Sequence, residues 1–224
     1  MSPSRISDFA YVGGRPYIRG VDVLRFFLEN HAVSMSDPPY EVRSLKLIRE
    51  LQRNGVWEVA DESTGIDNAS LTPSATLEYT DSRKNRHQAL FFETSALITR
   101  ELPDASPIVS SIVCGSPFAG CATIAPPLTA ISLLDGLVTA NKAIHATTLQ
   151  ERGKHAGSIR FVYVEGFPLS VAPQSNPADL KIIHRGSREK DGRVYTLNVA
   201  DFVMNSGSFK ALICFSYQSE LETP

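Results

Sequence analysis

The stretch CATIAPPLTAISLLDGLVTANKAIHATTL, from Cys121 to Leu149, limits the fold more than any other, because read as one helix it has no face suited to water. At helical spacing Leu128, Ile131, Leu134, Val138 and Leu149 fall on one side, and Leu133, Leu137, Ala140 and Ile144 fall nearly opposite. A helix that is apolar all round belongs inside a core. Between the two stripes lie the small residues Ser132, Gly136, Thr139 and Ala143, which let another backbone or a thin ligand lie close. Asp135 stands at the edge of that small-residue stripe. A carboxylate in such a helix is costly unless it is paired, hydrogen-bonded or facing a cavity, so Asp135 is the first candidate for function.

The rest of the composition narrows the setting. With 224 residues and 42% apolar content, the chain suffices for one large domain or two small ones. A formal charge of -2 leaves no broad cationic surface for nucleic acid or an anionic membrane. Cys114, Cys121 and Cys214 form no CxxC pair and no Cys/His spacing suited to zinc, so no metal is expected and the thiols read as reduced. The start MSPSRISDFAYVGG has no apolar run of the signal-peptide kind, and no stretch reaches transmembrane length. The expectation is a soluble, cytoplasmic protein.

Before the buried helix the chain reads as helix, then strands. From Gly20, VDVLRFFLENHAV places Val21, Leu24, Phe27, Leu28 and His31 on one side and Asp22, Arg25 and Glu29 on the other, an amphipathic helix. Pro38 and Pro39 stop it. Tyr40 to Leu51 alternates, and Asn54-Gly55 reads as a hairpin turn into VWEVAD. SATLEYTD and HQALFFETSALI are two further strands separated by SRKNR, which places His87 in an exposed turn. The proline-rich tract ELPDASPIVSSIVCGSPFAG reads as a junction, dividing the chain into halves at 1–102 and 103–224. Beyond it, SIRFVYVEGF, ADLKIIHRGS, GRVYTLNVADFV and SFKALICFSYQ alternate with period two, with turns at Asp191-Gly192 and Asn205-Ser206-Gly207. Each half therefore reads as one long helix laid on an antiparallel sheet.

These residues resemble a family. A helix, a strand ending in Phe167-Pro168, a strand carrying His184-Arg185-Gly186, and then GRVYTLNVADFVMNSGSFKALICFSYQ look like the second half of a hotdog-fold acyl-thioester enzyme. The implied fold is α+β: a double hotdog, with two long helices each wrapped by a curved antiparallel sheet. PPLTAISLLDGLVTAN resembles the helix start of hotdog thioesterases and of the second hotdog of polyketide dehydratase domains, where an active-site Asp stands at the position of Asp135. DFAYVGGRPYIRGVDVL is similar to the dehydratase first-hotdog pattern, except that Phe9 occupies the place of the His and Arg19-Gly20 replaces Pro-Gly.

What the resemblance implies for function is processing of an acyl thioester, with hydrolysis of an acyl-CoA or acyl-carrier-protein substrate as the leading reaction. The alternatives are a dehydratase or isomerase on a carrier-bound acyl chain, and a non-catalytic acyl-binding or scaffold protein. No cofactor is expected; coenzyme A or phosphopantetheine would arrive as part of the substrate. Partners would be acyl-CoA, an acyl-carrier protein or further copies of the chain, with no nucleic acid and no membrane. A buried carboxylate suits holding or activating water, since burial favours its neutral form. Thr139 and Asn141 lie within about a turn of Asp135 and are read as positioning water or the thioester oxygen, although ordinary core or surface roles fit both. Unpaired N–H groups near Leu128 and Thr129, past Pro126 and Pro127, would receive the thioester carbonyl. His31 is either a satisfied structural histidine or a base from the other half, and His145 reads the same way. Arg185, with Arg188 and Lys190, would meet phosphate groups of the substrate or simply solvate a hairpin end. No base adjoins a cysteine, so thiol catalysis is rejected.

Overall fold

Period-two alternation and two helical stretches account for most of the chain in the computed structural model, which describes residues 6–12, 17–30, 39–60, 72–103, 109–115, 117–153, 159–171 and 173–218. The chain forms two units, Met1–Ala105 and Ser106–Pro224. The first contains β1 (Ala10–Val12), α1 (Gly20–Asn30), β2 (Pro39–Leu47), β3 (Arg53–Ala60), β4 (Ala75–Asp81), β5 (Arg86–Leu97) and β6 (Arg100–Leu102). Its main strands run β3-β5-β4-β2, every neighbour antiparallel, and β1 pairs in parallel with β6.

α1 buries Val21, Leu24 and Phe27 of the expected face together with Val23 and Phe26, which that face did not include, while Leu28 is half-buried. Phe27 packs its ring on Trp57 of β3 at 5.4 Å and on Tyr79 of β4 at 5.3 Å, and the Trp57 indole donates to the Val23 carbonyl at 3.2 Å. Asp22 in the first helical turn holds the Arg19 guanidinium at 2.8 and 2.9 Å, a negative charge placed where the helix dipole favours one.

Asn54-Gly55, expected to be a turn, lies inside β3. β3 pairs with β5, while β2 pairs with β4, so there is no β2–β3 hairpin. Long-range contacts override the dipeptide's turn preference. The Asn54 side chain accepts the Phe9 N–H at 2.8 Å and donates to the Leu97 carbonyl at 3.1 Å. A Cβ at Gly55 would lie 2.3 Å from the Phe92 carbonyl oxygen, so only glycine lets the neighbouring strand come this close. His87 also departs from expectation: it lies in β5, stacked on Tyr79 at 5.0 Å and bonded to the Asp81 carboxylate at 3.1 Å.

The second unit contains β7 (Val109–Cys114), β8 (Gly120–Ile124), α2 (Ala130–Glu151), β9 (Arg160–Pro168), β10 (Ala178–Lys190), β11 (Arg193–Met204) and β12 (Gly207–Gln218), ordered β9-β12-β11-β10-β8-β7 and antiparallel throughout. The strands expected from SIRFVYVEGF onward are β9 to β12, and Ala211, Ile213, Phe215 and Tyr217 of β12 face the core. Part of the tract read as a junction is instead β7 and β8. Cys121–Ile124 likewise belongs to β8 rather than to the helix: Ala122 and Ile124 are buried while Cys121 is exposed, a strand alternation that Pro126 and Pro127 separate from α2. The small-residue stripe is filled from this strand, since a Cβ on Gly136 would lie 2.8–2.9 Å from three side-chain atoms of Ile124. Within the described residues α1 has 11 residues against 22 in α2, so one of the two expected long helices is short there. Among those residues no helix is long and apolar enough to cross a membrane.

Candidate active site

The entry to α2 is closed by a capping box. Thr129 is the N-cap; its hydroxyl accepts the Ser132 N–H at 3.1 Å, and its own N–H donates to the Ser132 hydroxyl at 2.7 Å. Leu128 donates its N–H to the Gln174 carbonyl at 2.9 Å in an isolated bridge. The donors expected to be free at Leu128 and Thr129 are therefore both used, because cap and bridge satisfy the groups a helix start otherwise leaves open. The remaining first-turn donors are the N–H groups of Ala130 and Ile131.

Asp135 is 7% exposed. It lies about 40° around the helix axis from Thr139, one turn on, given the usual 100° per residue. This face is otherwise only half-buried, at Ile131, Ser132, Thr139, Lys142, Ala143 and Ala146, while the opposite face is buried. Asn141 lies about 120° away from Asp135 by the same geometry. It turns into the sheet, where its Oδ1 accepts from Asn198 of β11 at 2.9 Å, and its Nδ2 has no partner among the described residues. Asn141 therefore belongs to a structural network and not beside Asp135. His31 lies outside the described residues. Arg185 is exposed on β10, at the bulge between His184 and Gly186, beyond the Gly120 end of the β8–β10 pairing and not at the Ile124 end that leads to α2.

On the sheet side of α2 lies a polar cluster that joins Asn141 and His145, both singled out in the sequence, to Thr196 and Asn198, which were not. His145 is fully buried; its Nδ1–H donates to the Asn141 carbonyl at 2.8 Å, and its Nε2 accepts from the Thr196 hydroxyl at 2.6 Å. Burial lowers its pKa to about 4, against the raising effect of the Asn141 carbonyl, so it is neutral and structural at pH 7. Next to it, Asn198 donates to Asn141 and, at 3.3 Å, to the Phe118 carbonyl, while its Oδ1 faces His184 Nδ1 at 2.9 Å. His184 Nε2 lies 3.2 Å from the Ser187 hydroxyl. The Phe118 ring covers both histidines, 4.8 Å from His145 and 5.4 Å from His184. The signal available in the sequence was Thr196 and Asn198, two polar residues on the β11 face that alternation assigns to the core together with Ala200. The three cysteines are free thiols, and burial pushes Cys214 up to about 11.

No protein-family model matches the chain, and no curated protein matches it. Solved structures do. A dehydratase domain from the CurJ module of the curacin polyketide synthase aligns over 90% of this chain and 83% of its own, at 8% identity and a TM-score of 0.50. A protein of unknown function with a hot dog fold from Alicyclobacillus acidocaldarius aligns over 93% and 89%, at 12% identity and a TM-score of 0.49. The Mycobacterium avium subsp. paratuberculosis tesB protein aligns over 91% and 87%, at 14% identity and a TM-score of 0.47. Identities this low speak to fold alone; the likeness that reaches 0.50 is to the dehydratase domain, and the helices and antiparallel strands of this chain are consistent with a hotdog fold.

Proposed function

We propose that the chain is a double hotdog, one per unit, and that it hydrolyses an acyl thioester carried by coenzyme A or an acyl-carrier protein. The observation that carries this reading is Asp135: a buried carboxylate on the one incompletely covered face of an apolar helix, with the Thr139 hydroxyl a turn away. Such a pair suits holding one water. As the water oxygen bonds to the carbonyl carbon, its proton passes to the Asp135 carboxylate; the C–S bond then breaks and the leaving thiolate takes that proton. The Ala130 and Ile131 N–H groups at the helix start would stabilise the developing oxyanion. Arg185 and His31 have no part in this version.

Hydrolysis is favoured over dehydration by Phe9. At the position where the dehydratase pattern has its histidine, this chain has a core residue, its ring 5.6 Å from Phe26 and 6.0 Å from Phe91. No side chain at that position can move a proton. A panel of acyl-CoA and acyl-carrier thioesters, followed for free thiol and product mass together, tests the proposal. Thiol release with gain of water supports it, loss of water from a hydroxyacyl substrate would move the reading to a dehydratase, and neither product on any substrate would leave an acyl-binding or scaffold protein.

A further inference from the structure

The geometry points to a second reactive centre in the second unit: Ser187 as an acyl-accepting nucleophile, His184 as its base, and Asn198 as the positioning residue behind the imidazole. Ser187 Oγ lies 3.2 Å from His184 Nε2, and His184 Nδ1 lies 2.9 Å from Asn198 Oδ1. This is the nucleophile–base–orienter order of acyl-transfer triads, in which Asn is an accepted third member. The assignment does not depend on the role of Asp135.

A local irregularity of β10 creates the juxtaposition. In a regular strand, residues three apart face opposite sides. The bulge between His184 and Gly186 inserts one residue, so that His184 pairs with Asn198 and Ser187 with Thr196, two positions on the same face of β11. Without Arg185 as the extra residue, Ser187 would point away from the imidazole. The hydroxyl is exposed, the imidazole half-buried and the amide fully buried, the gradient of access that a nucleophile and its support require.

The tautomer follows from hydrogen bonds. The Phe118 carbonyl can only accept, so the Asn198 atom 3.3 Å from it is the amide nitrogen, and the oxygen faces His184. Nδ1 therefore carries the proton, and the Nε2 lone pair is left for the Ser187 hydroxyl. Phe118 is held in turn, its N–H donating to the Thr148 hydroxyl at 3.1 Å. With an activated carboxylic ester, Oγ bonds to the acyl carbon while its proton moves to Nε2. The C–O bond to the alcohol breaks, and the alcohol leaves with that proton. Water then attacks the acyl-serine by the same route, releasing a carboxylic acid and restoring the hydroxyl.

A fluorophosphonate probe tests this on the full chain. Its phosphorus bonds Ser187 Oγ and fluoride leaves, and peptide mass spectrometry locates the adduct. Labelling should map to Ser187, vanish in Ser187→Ala, fall by ~100-fold in His184→Gln, and match wild type in Ser208→Ala, a change at an exposed serine of β12. Asn198→Asp, which keeps the acceptor toward Nδ1–H, should label faster than Asn198→Ala at equal folded fraction by circular dichroism. Labelling of Ser187 no faster than of other exposed serines, or a rate unchanged in His184→Gln, would overturn the proposal.

Discussion

The two helices do different work. α1 presents hydrocarbon to its sheet: Val21, Val23, Leu24, Phe26 and Phe27 are buried, and its neighbours Trp57, Tyr79 and Phe91 fill the space between with rings. α2 buries Asp135, Asn141, His145 and Thr148 among its leucines. Polar groups in a core destabilise it unless they are bonded, and on the sheet side of α2 His145 and the Asn141 Oδ1 are, through Thr196 and Asn198, while the Asn141 Nδ2 has no partner among the described residues. Among the described residues the first unit's helix thus buries only apolar side chains against its sheet, whereas the second uses its helix to hold polar side chains in fixed positions. Similar architecture is compatible with either use, and the side chains at the helix–sheet contact decide which.

That difference sets how each unit fails. The largest expected effect is in the first: Phe27→Ala removes a fully buried ring packed on two others and should cost about 3–5 kcal/mol in urea unfolding. A loss under about 1 kcal/mol would mean that the ring cluster is not the support its geometry implies. In the second unit the vulnerable group is His145. Its folded pKa of about 4 lies below the 6.5 of an unburied histidine, so the unfolded chain takes up the proton first. Its contribution is therefore complete above pH ~6.5 and is lost as pH falls toward 4, amounting to about 3 kcal/mol. Asp81 of the first unit differs: although burial works to raise its pKa, hydrogen bonds from His87, Asn85 and Arg83 hold it at about 2, and its contribution is lost only as pH falls below ~4. The hydrogen-exchange protection of α2, taken relative to the intrinsic exchange rate at each pH, should fall between pH 6.5 and 4 before fluorescence of the single Trp57 reports change in the first unit. The reverse order would contradict the contrast. A smaller effect is expected at Gly136→Ala, where contact with Ile124 opposes the helix preference for alanine; a net loss of about 1 kcal/mol in melting experiments is the expected result.

Much of this was legible in the sequence where order is local. Strict alternation marked β9 to β12, and amphipathic spacing marked α1 and part of its buried face, Val21, Leu24 and Phe27. What was hidden depends on partners far away in the chain. Asn54-Gly55 has turn chemistry, but Asn54 is held by residues 45 and 43 positions distant, at Phe9 and Leu97. Cys121–Ile124 ran into the helix because four alternating residues are too few to declare a strand before prolines. Asp135 was visible as a carboxylate in apolar surroundings. Its relation to Asn141 was misread because closeness along a helix does not mean a shared face. Ser187 could not be paired with His184 at all, since period-two reading separates them and only the bulge brings them together.

The claim that α2 carries the chemistry is tested most directly at Asp135 itself. Asp135→Asn keeps the side chain's shape and removes its charge. Single-turnover cleavage of a thioester that the wild type hydrolyses, measured with the melting temperature of the same protein, should fall by ~100-fold or more while the protein remains folded. An Asp135→Asn protein that melts early, by an amount equivalent to about 1–3 kcal/mol, yet turns over at the wild-type rate per folded molecule would make Asp135 a structural residue and contradict the account.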